Sequence, residues 1–248
     1  MKKQGKILFL FLGLLLTTPL SVYSSQPMST RTIKQNIFLA KPGDYTVLSR
    51  GTQRIFLLVK SMTPDAVWLE ILDFPCLTYR DRTLTQKTSW KIAIHQLNSS
   101  SKIFVFLLHS QYIKMFALNM ETHTLVPLTS FEEAPLFSKI LQLSLLPAPK
   151  ELIKIQGKNQ TPWSPKVSIE GTPQVSVATE MWHGLWPNDL SPLSGTDVLM
   201  YFTFPEISVF PLWASIQTPK GPVTLRTIDV GHEATSPYTY SYPQIPLP

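Results

Sequence analysis

Apolar and polar positions alternate with a period of two through much of the first half of this 248-residue chain. From Val67 to Phe74, the side chains of Val67, Leu69 and Ile71 fall on one face and those of Trp68, Glu70 and Leu72 on the other. That pattern predicts a strand with one face only partly wet. Tyr45 to Arg50 and Gln53 to Ser61 read as a strand pair around Gly51. Lys41-Pro42-Gly43-Asp44 and Thr63-Pro64-Asp65 carry turn chemistry, because proline presets φ and glycine tolerates positive values. Asn36 to Ala40 is expected to be a short strand behind a polar leader without a period. Ile103 to Leu108 is an unbroken apolar run rich in β-branched and aromatic residues, which predicts a central strand buried on both faces. Tyr112 to Asn119 is its hairpin partner. Strands at this spacing, joined by tight turns, describe an antiparallel meander.

Two stretches switch to a helical period. Trp90, Ala93, Ile94 and Leu97 share one face, with Thr88 or Ser89 as cap, so Thr88 to Asn98 reads as a short amphipathic helix laid on the sheet. Ser130-Phe-Glu-Glu133 is a capping box ahead of Leu136, Phe137, Ile140 and Leu141. Pro135 weakens that second helix, which stops before Leu143.

Composition shifts after Pro147 and Pro149. Seventeen of the 22 prolines lie from Pro127 onward, which leaves little room for long helices. Lys166 to Glu170 and Gln174 to Thr179 flank a hairpin turn at Gly171-Thr-Pro173. Val198 to Phe204, Leu212 to Gln217 and Val223 to Val230 are three further strands, with Pro219-Lys-Gly-Pro222 turning between the last two. The expected fold is therefore mainly β, in two small antiparallel sheet units, the first with two short helices. The expected segments are a leader over 25–35, a first unit over 36–150, a linker over 151–160 and a second unit over 161–235. A Pro/Tyr-rich extended tail follows over 236–248; its prolines keep it out of a central strand. Pro243-Gln-Ile-Pro246 has the spacing of a polyproline docking motif, read here as a strap or loose end.

The first residues change where this fold is expected to work. Lys2, Lys3 and Lys6 precede an apolar run, Ile7 to Leu16, too short to span a bilayer and flanked as in a signal peptide. Val22 and Ser24 suit cleavage, giving a signal peptide over 1–24, a mature chain from Ser25 without a transmembrane span, and export to the periplasm or beyond. The formal charge drops from +6 to +3 once those three lysines are gone. No Lys/Arg run remains to track phosphates, so nucleic-acid binding has no electrostatic footprint. Cys76, the single cysteine, makes no intramolecular disulfide and is expected to be buried and reduced.

The second half carries a set of scattered residues: Trp163-Ser-Pro-Lys-Val167, Gly171, Trp182, Trp186-Pro-Asn-Asp189, Leu193-Ser-Gly195, Tyr201, Phe210-Pro-Leu-Trp213, Asp229-Val-Gly231 and Ser236-Pro237. Ser89-Trp90 and the proline-spaced stretch from Leu143 to Pro149 stand ahead of it. The arrangement resembles an uncharacterised family of exported proteins from chlamydia-like intracellular bacteria. That resemblance implies a habitat and no activity, so no site residue carries over.

Candidate chemistry is sparse. There is no G-x-S-x-G elbow, H-E-x-x-H helix, C-x-x-C or glycine-rich phosphate loop, and no cofactor or metal is expected. Asp229, His232 and Glu233 gather two carboxylates and an imidazole at one turn, the makings of general acid–base work or of a solvated turn. Glu180 to Thr218 holds three of the six tryptophans. Within it Trp182, His183, Trp186 and Asp189 are expected in a loop, where flat indoles with polar neighbours suit a sugar or peptidoglycan strand. Trp186 is expected in the core and Trp182 partly exposed. The expected function is a non-catalytic binding or structural protein of a Gram-negative cell envelope, with an envelope or host component as partner. The alternatives are a hydrolase on cell-wall or glycan substrates, and a periplasmic acyl-chain or lipoprotein carrier. An outer-membrane barrel does not fit: its strands need about 9–11 residues of lipid-facing alternation.

Overall fold

The computed structural model describes residues 30–99, 101–129, 139–152, 155–156, 161–162, 164–173 and 176–243. The expected signal peptide, the capping box at 130–133 with Pro135, Leu136 and Phe137, linker residues 157–160 and the last residues of the tail lie outside them. The described chain enters as β1 (Arg31–Thr32) and α1 (Ile33–Ile37). Next come β2 (Tyr45–Arg50), β3 (Gln53–Thr63), β4 (Ala66–Phe74), α2 (Tyr79–Lys87) and α3 (Trp90–Ala93), then β5 (Lys102–His109), β6 (Ile113–Asn119) and β7 (Thr124–Pro127). After β8 (Ser144–Pro147) follow two small ribbons, β9 (Ile155–Gln156) with β10 (Thr161–Pro162), and β11 (Ser168–Ile169) with β12 (Thr172–Pro173). The chain closes with β13 (Glu180–Leu185), β14 (Asp197–Phe202), β15 (Trp213–Ile216) and β16 (Val223–Gly231).

Hydrogen bonding orders the strands β1-β8-β13-β14-β15-β16-β2-β3-β4-β5-β6-β7 in one 14-stranded sheet, with β11 and β12 attached beside β16. The mainly β, antiparallel class with short helices is as the pattern predicts. The strands of the two sequence halves are direct neighbours, because β16 pairs with β2 from Arg226↔Ser49 to Gly231↔Tyr45. One face of both halves closes on a common core: Leu48, Leu57, Leu69 and Phe106 share it with Met200, Phe202 and Ile216, and with Ile33 and Ile37 of α1. On the opposite face Val47, Phe56, Leu58 and Leu72 meet Trp90 and Ile94 at α3, and Tyr238 and Tyr240 of the tail. β5 is buried on both faces, as its apolar run requires.

Three local expectations are corrected. Asn36 to Ala40 is not a strand. Thr32 and Gln35 close a reciprocal capping box and start α1, and Asn36 turns inward to donate to the Val209 carbonyl at 3.1 Å. Its apolar run was too short to separate the two periods. The helix over 88–98 is only α3, four residues long, and the longer helix is α2 before it. α2 shows no apolar stripe because its one buried side chain is Asp81, whose carboxylate accepts from the Asn98 amide at 2.9 Å and from the Ser99 hydroxyl. Those bonds hold the Asp81 carboxyl below its ordinary value against the opposing effect of burial.

Cys76 is exposed, not buried. The core positions at the end of β4 are Phe74 and Leu77 on either side of it, 2% and 5% exposed, and the Pro75 corner turns Cys76 outward between them. We expect a bulky maleimide to label the native protein at the rate of a free surface thiol. Protection until denaturant is added would refute this placement.

Candidate functional site

Trp182 and His183 sit in a strand and not in a loop, whereas Trp186 and Asp189 lie in the connection that follows it. Glu180–Leu185 is β13, paired with β14 on one side and β8 on the other. The spacing of four still puts both indoles on one side, through period two. Trp186 is 1% exposed in the common core, and Trp182 packs partly buried against the same core. Between them Gly184 leaves no room for a side chain: a Cβ there would meet the Ser144 carbonyl at 2.6 Å. His183 alternates to the other side of the strand, opposite Leu199 and Leu146. The Arg31 guanidinium lies over the Trp182 ring, 5.4 Å from its centroid, and over Phe202 at 5.1 Å.

Asp189 organises the turn after β13. Its carboxylate accepts from the Lys139 ammonium at 2.6 Å, the Trp186 indole N–H at 3.3 Å, and the Ser191 hydroxyl and amide at 2.5 and 3.0 Å. The Lys139 bond, then the Ser191 hydroxyl, hold this carboxyl well below the usual range. Asp189 is thus joined to Trp186, and His183 stands apart from both.

The second candidate set lies where β16 ends. Asp229 is 2% exposed and accepts from the Tyr45 hydroxyl at 3.0 Å and the Gly171 amide at 2.9 Å. Burial raises its pKa, and those same hydrogen bonds work against the rise. Burial, together with the facing Asp229, also pushes the Tyr45 phenol well above its ordinary value. His232 turns elsewhere. Its Nδ1 meets Asp44 Oδ1 at 2.7 Å, and its backbone amide donates to Glu170 Oε1 at 3.3 Å. Lys91 reaches the same Glu170 oxygen at 3.0 Å, which is the main reason the Glu170 carboxyl titrates low. Glu233 is exposed, in a left-handed backbone conformation with φ 58°. The three predicted residues are close in sequence, but their polar atoms serve different partners.

Sequence reasoning missed Asp44, Glu170, Lys91 and Tyr45, which come from the β2 entry, the β11–β12 turn and α3. Only Asp44, in its predicted turn, carried a local signal; its Oδ2 accepts from the Lys41 amide at 2.8 Å and closes that turn. Beside this cluster a groove of about 570 Å³ is lined by Leu39, Pro42, Pro205, Glu206, His232 and Glu233, among others. Leu39 is 59% exposed, and Phe204, the chain neighbour of Pro205, is 60% exposed. Among the described residues no group of three or more His, Cys, Asp or Glu side chains is arranged to hold a metal ion.

The CT021 protein family model matches residues 55–174. A solved structure of the hypothetical protein CT021 from Chlamydia trachomatis superposes with a TM-score of 0.71 at 37% identity, covering 88% of this chain and 100% of that one. The chain belongs to the CT021 family. No curated protein matches it. Membership in the CT021 family agrees with the chlamydial resemblance of the scattered motif residues.

Two outcomes are expected for this CT021 family member. Trp186→Ala should cost about 3–5 kcal/mol, as for a large aromatic removed from a packed core. Trp182→Ala should cost about 1–2 kcal/mol, the scale of a partly exposed cation–π contact. Equal losses in denaturant melts would reduce both indoles to packing. Asp189 sets a pH dependence. Its folded pKa is depressed, so its contribution is present above the unfolded carboxylate value of about 3.9 and fades as pH falls through the lower folded value. The stability gap between wild type and Asp189→Asn should therefore be full at pH 6 and shrink on acidification below about pH 4. A gap independent of pH would refute the assignment.

Proposed function

We propose that the protein is an exported, non-catalytic binding or structural protein of a Gram-negative cell envelope, acting in the periplasm or beyond it. The observation that carries this reading is the contrast at the end of β16. Asp229, His232, Asp44 and Glu170 are engaged with internal partners, as groups that lock strand ends are, while the groove beside them presents exposed Leu39, with exposed Phe204 next in the chain to its lining residue Pro205. Exposed apolar side chains at a concave site mark contact surfaces. The basic start, short apolar run and small residues at Val22 and Ser24 support export. Among the described residues, no helix is long and apolar enough to cross a membrane.

The test begins with fractionation of the native organism and N-terminal sequencing. The expected result is a chain starting near Ser25 outside the cytoplasm; a chain retaining Met1 in the cytosol overturns export. The purified mature protein should then co-sediment with one envelope fraction. Leu39→Ser/Phe204→Ser should abolish this while leaving stability within about 1 kcal/mol, as surface changes do. A hydrolytic reading has one observation in its favour, the Asp44–His232 pair at 2.7 Å, with 45% of the imidazole side chain exposed. Release of soluble fragments from cell-wall material, lost in His232→Ala, would replace the binding reading.

A further inference from the structure

A second surface, which adjoins the groove at Leu39 through Pro42 and Glu233, is built around a buried charge. Glu70 of β4 is 0% exposed. Its carboxylate accepts from the Ser236 hydroxyl at 2.6 Å, the Tyr240 hydroxyl at 2.7 Å and the Lys60 ammonium at 3.1 Å. Two of these partners belong to the tail and one to the sheet. Strand alternation supplies the sheet partner, because Lys60 follows Leu58, the residue paired with Glu70, onto the same face, and a β-bulge beside it adds Ser61. The pairing steps from Val59↔Leu69 to Ser61↔Trp68, so Lys60 is the extra residue and both Lys60 and Ser61 face the tail. Lys60 also donates to the Tyr238 carbonyl at 3.0 Å and lies 3.5 Å from the centre of the Tyr240 ring. Ser61 bonds the Tyr242 hydroxyl at 3.1 Å, and the Tyr242 ring sits 4.4 Å from Trp68. Alternate tail residues, Tyr238, Tyr240 and Tyr242, thus each meet the sheet, which is how a receptor reads an extended peptide.

The tail is held by side chains. Among the described residues the last backbone–backbone bond runs from the Ala234 amide to the Gly43 carbonyl, at 2.9 Å. Glu233, just before it, is a non-glycine residue at positive φ, where backbone strain is stored. Grooves of about 520 and 720 Å³ flank the tail on either side. If the tail lifts from a pivot at Glu233, Lys60 stays with Glu70, so the uncovered carboxylate is not left without a counter-charge. Exchange of an identical element between copies keeps every contact and needs only such a pivot.

We propose that the outer face of β3 and β4 is a receptor for an extended tyrosine-bearing segment, filled in cis by residues 235–243 and in trans by the same residues of a second copy. A fluorescein-labelled peptide with the sequence of residues 235–243 is titrated into the exported chain and followed by anisotropy. Tyr240→Ala/Tyr242→Ala weakens the cis segment and leaves the receptor face intact, so it should bind the peptide at least tenfold more tightly than wild type. Glu70→Gln added to that variant should abolish the gain. Should the double variant fail to fold, Tyr242→Ala alone, at a residue 40% exposed, should give at least a threefold gain. Absence of saturable binding to a folded variant overturns the receptor. Peptide binding combined with strictly monomeric sedimentation at every protein concentration overturns exchange between copies.

Discussion

The pairing of β16 with β2 is the constraint on which the rest of the molecule depends. Each half of the chain makes strands with one strongly apolar face, and neither half covers that face alone. When the last strand lies beside β2, the inward residues of both halves meet, and Leu48 and Leu57 share a core with Met200 and Ile216. The contact Gly231↔Tyr45 spans most of the chain. Closing so long a loop is entropically costly before the core rewards it. The join is sterically strict as well: a Cβ on Gly231 would lie 2.7 Å from both the Tyr45 ring and the Glu170 side chain. Glycine is needed there because the Glu170 side chain and the Tyr45 ring converge on that position.

Two bulges place part of the polar chemistry. In β16, Thr227 pairs with Leu48 and Asp229 with Val47, so Ile228 is the extra residue. Leu48 belongs to the inner core and Val47 to the outer one, and the step carries Asp229 to the outer side, where the Tyr45 hydroxyl meets it. In β3 the extra residue is Lys60, which shares the face of Glu70 by alternation from Leu58, and the step adds Ser61 to that face, where it meets Tyr242. A buried carboxylate is tolerated only when its hydrogen-bonding capacity is filled. At Glu70 Lys60 and the tail fill it together, and the neighbouring bulge adds the bond of Ser61 to Tyr242, so the end of the chain is joined to the middle of the sheet.

Legibility followed the range of the interactions. The strand over Ile103 to Leu108, the pair around Gly51 and the turn at Lys41 to Asp44 were readable because each is specified by neighbours in sequence. α1 was missed although its Thr32–Gln35 capping box is local, because an apolar run as short as Asn36 to Ala40 fits either period. α2 was missed because its buried side chain is an aspartate whose partners, Asn98 and Ser99, come from beyond α3. Cys76 was misplaced because a pattern of apolar neighbours does not show which side of a proline corner faces water.

At the candidate sites the same boundary appears. Residue identity alone marked Trp186 as core material and Asp229, His232 and Glu233 as titratable neighbours. It did not show that their polar atoms part, His232 to Asp44 and Asp229 to Tyr45 and Gly171. By itself the sequence determined the class of structure, because period-two alternation and turn residues act over a few positions. Strand order, the joining of the two halves and the cover over Glu70 were decided only by the tertiary structure. Those depend on contacts between residues far apart in the chain, and on single-residue register shifts that move a side chain from one face of the sheet to the other.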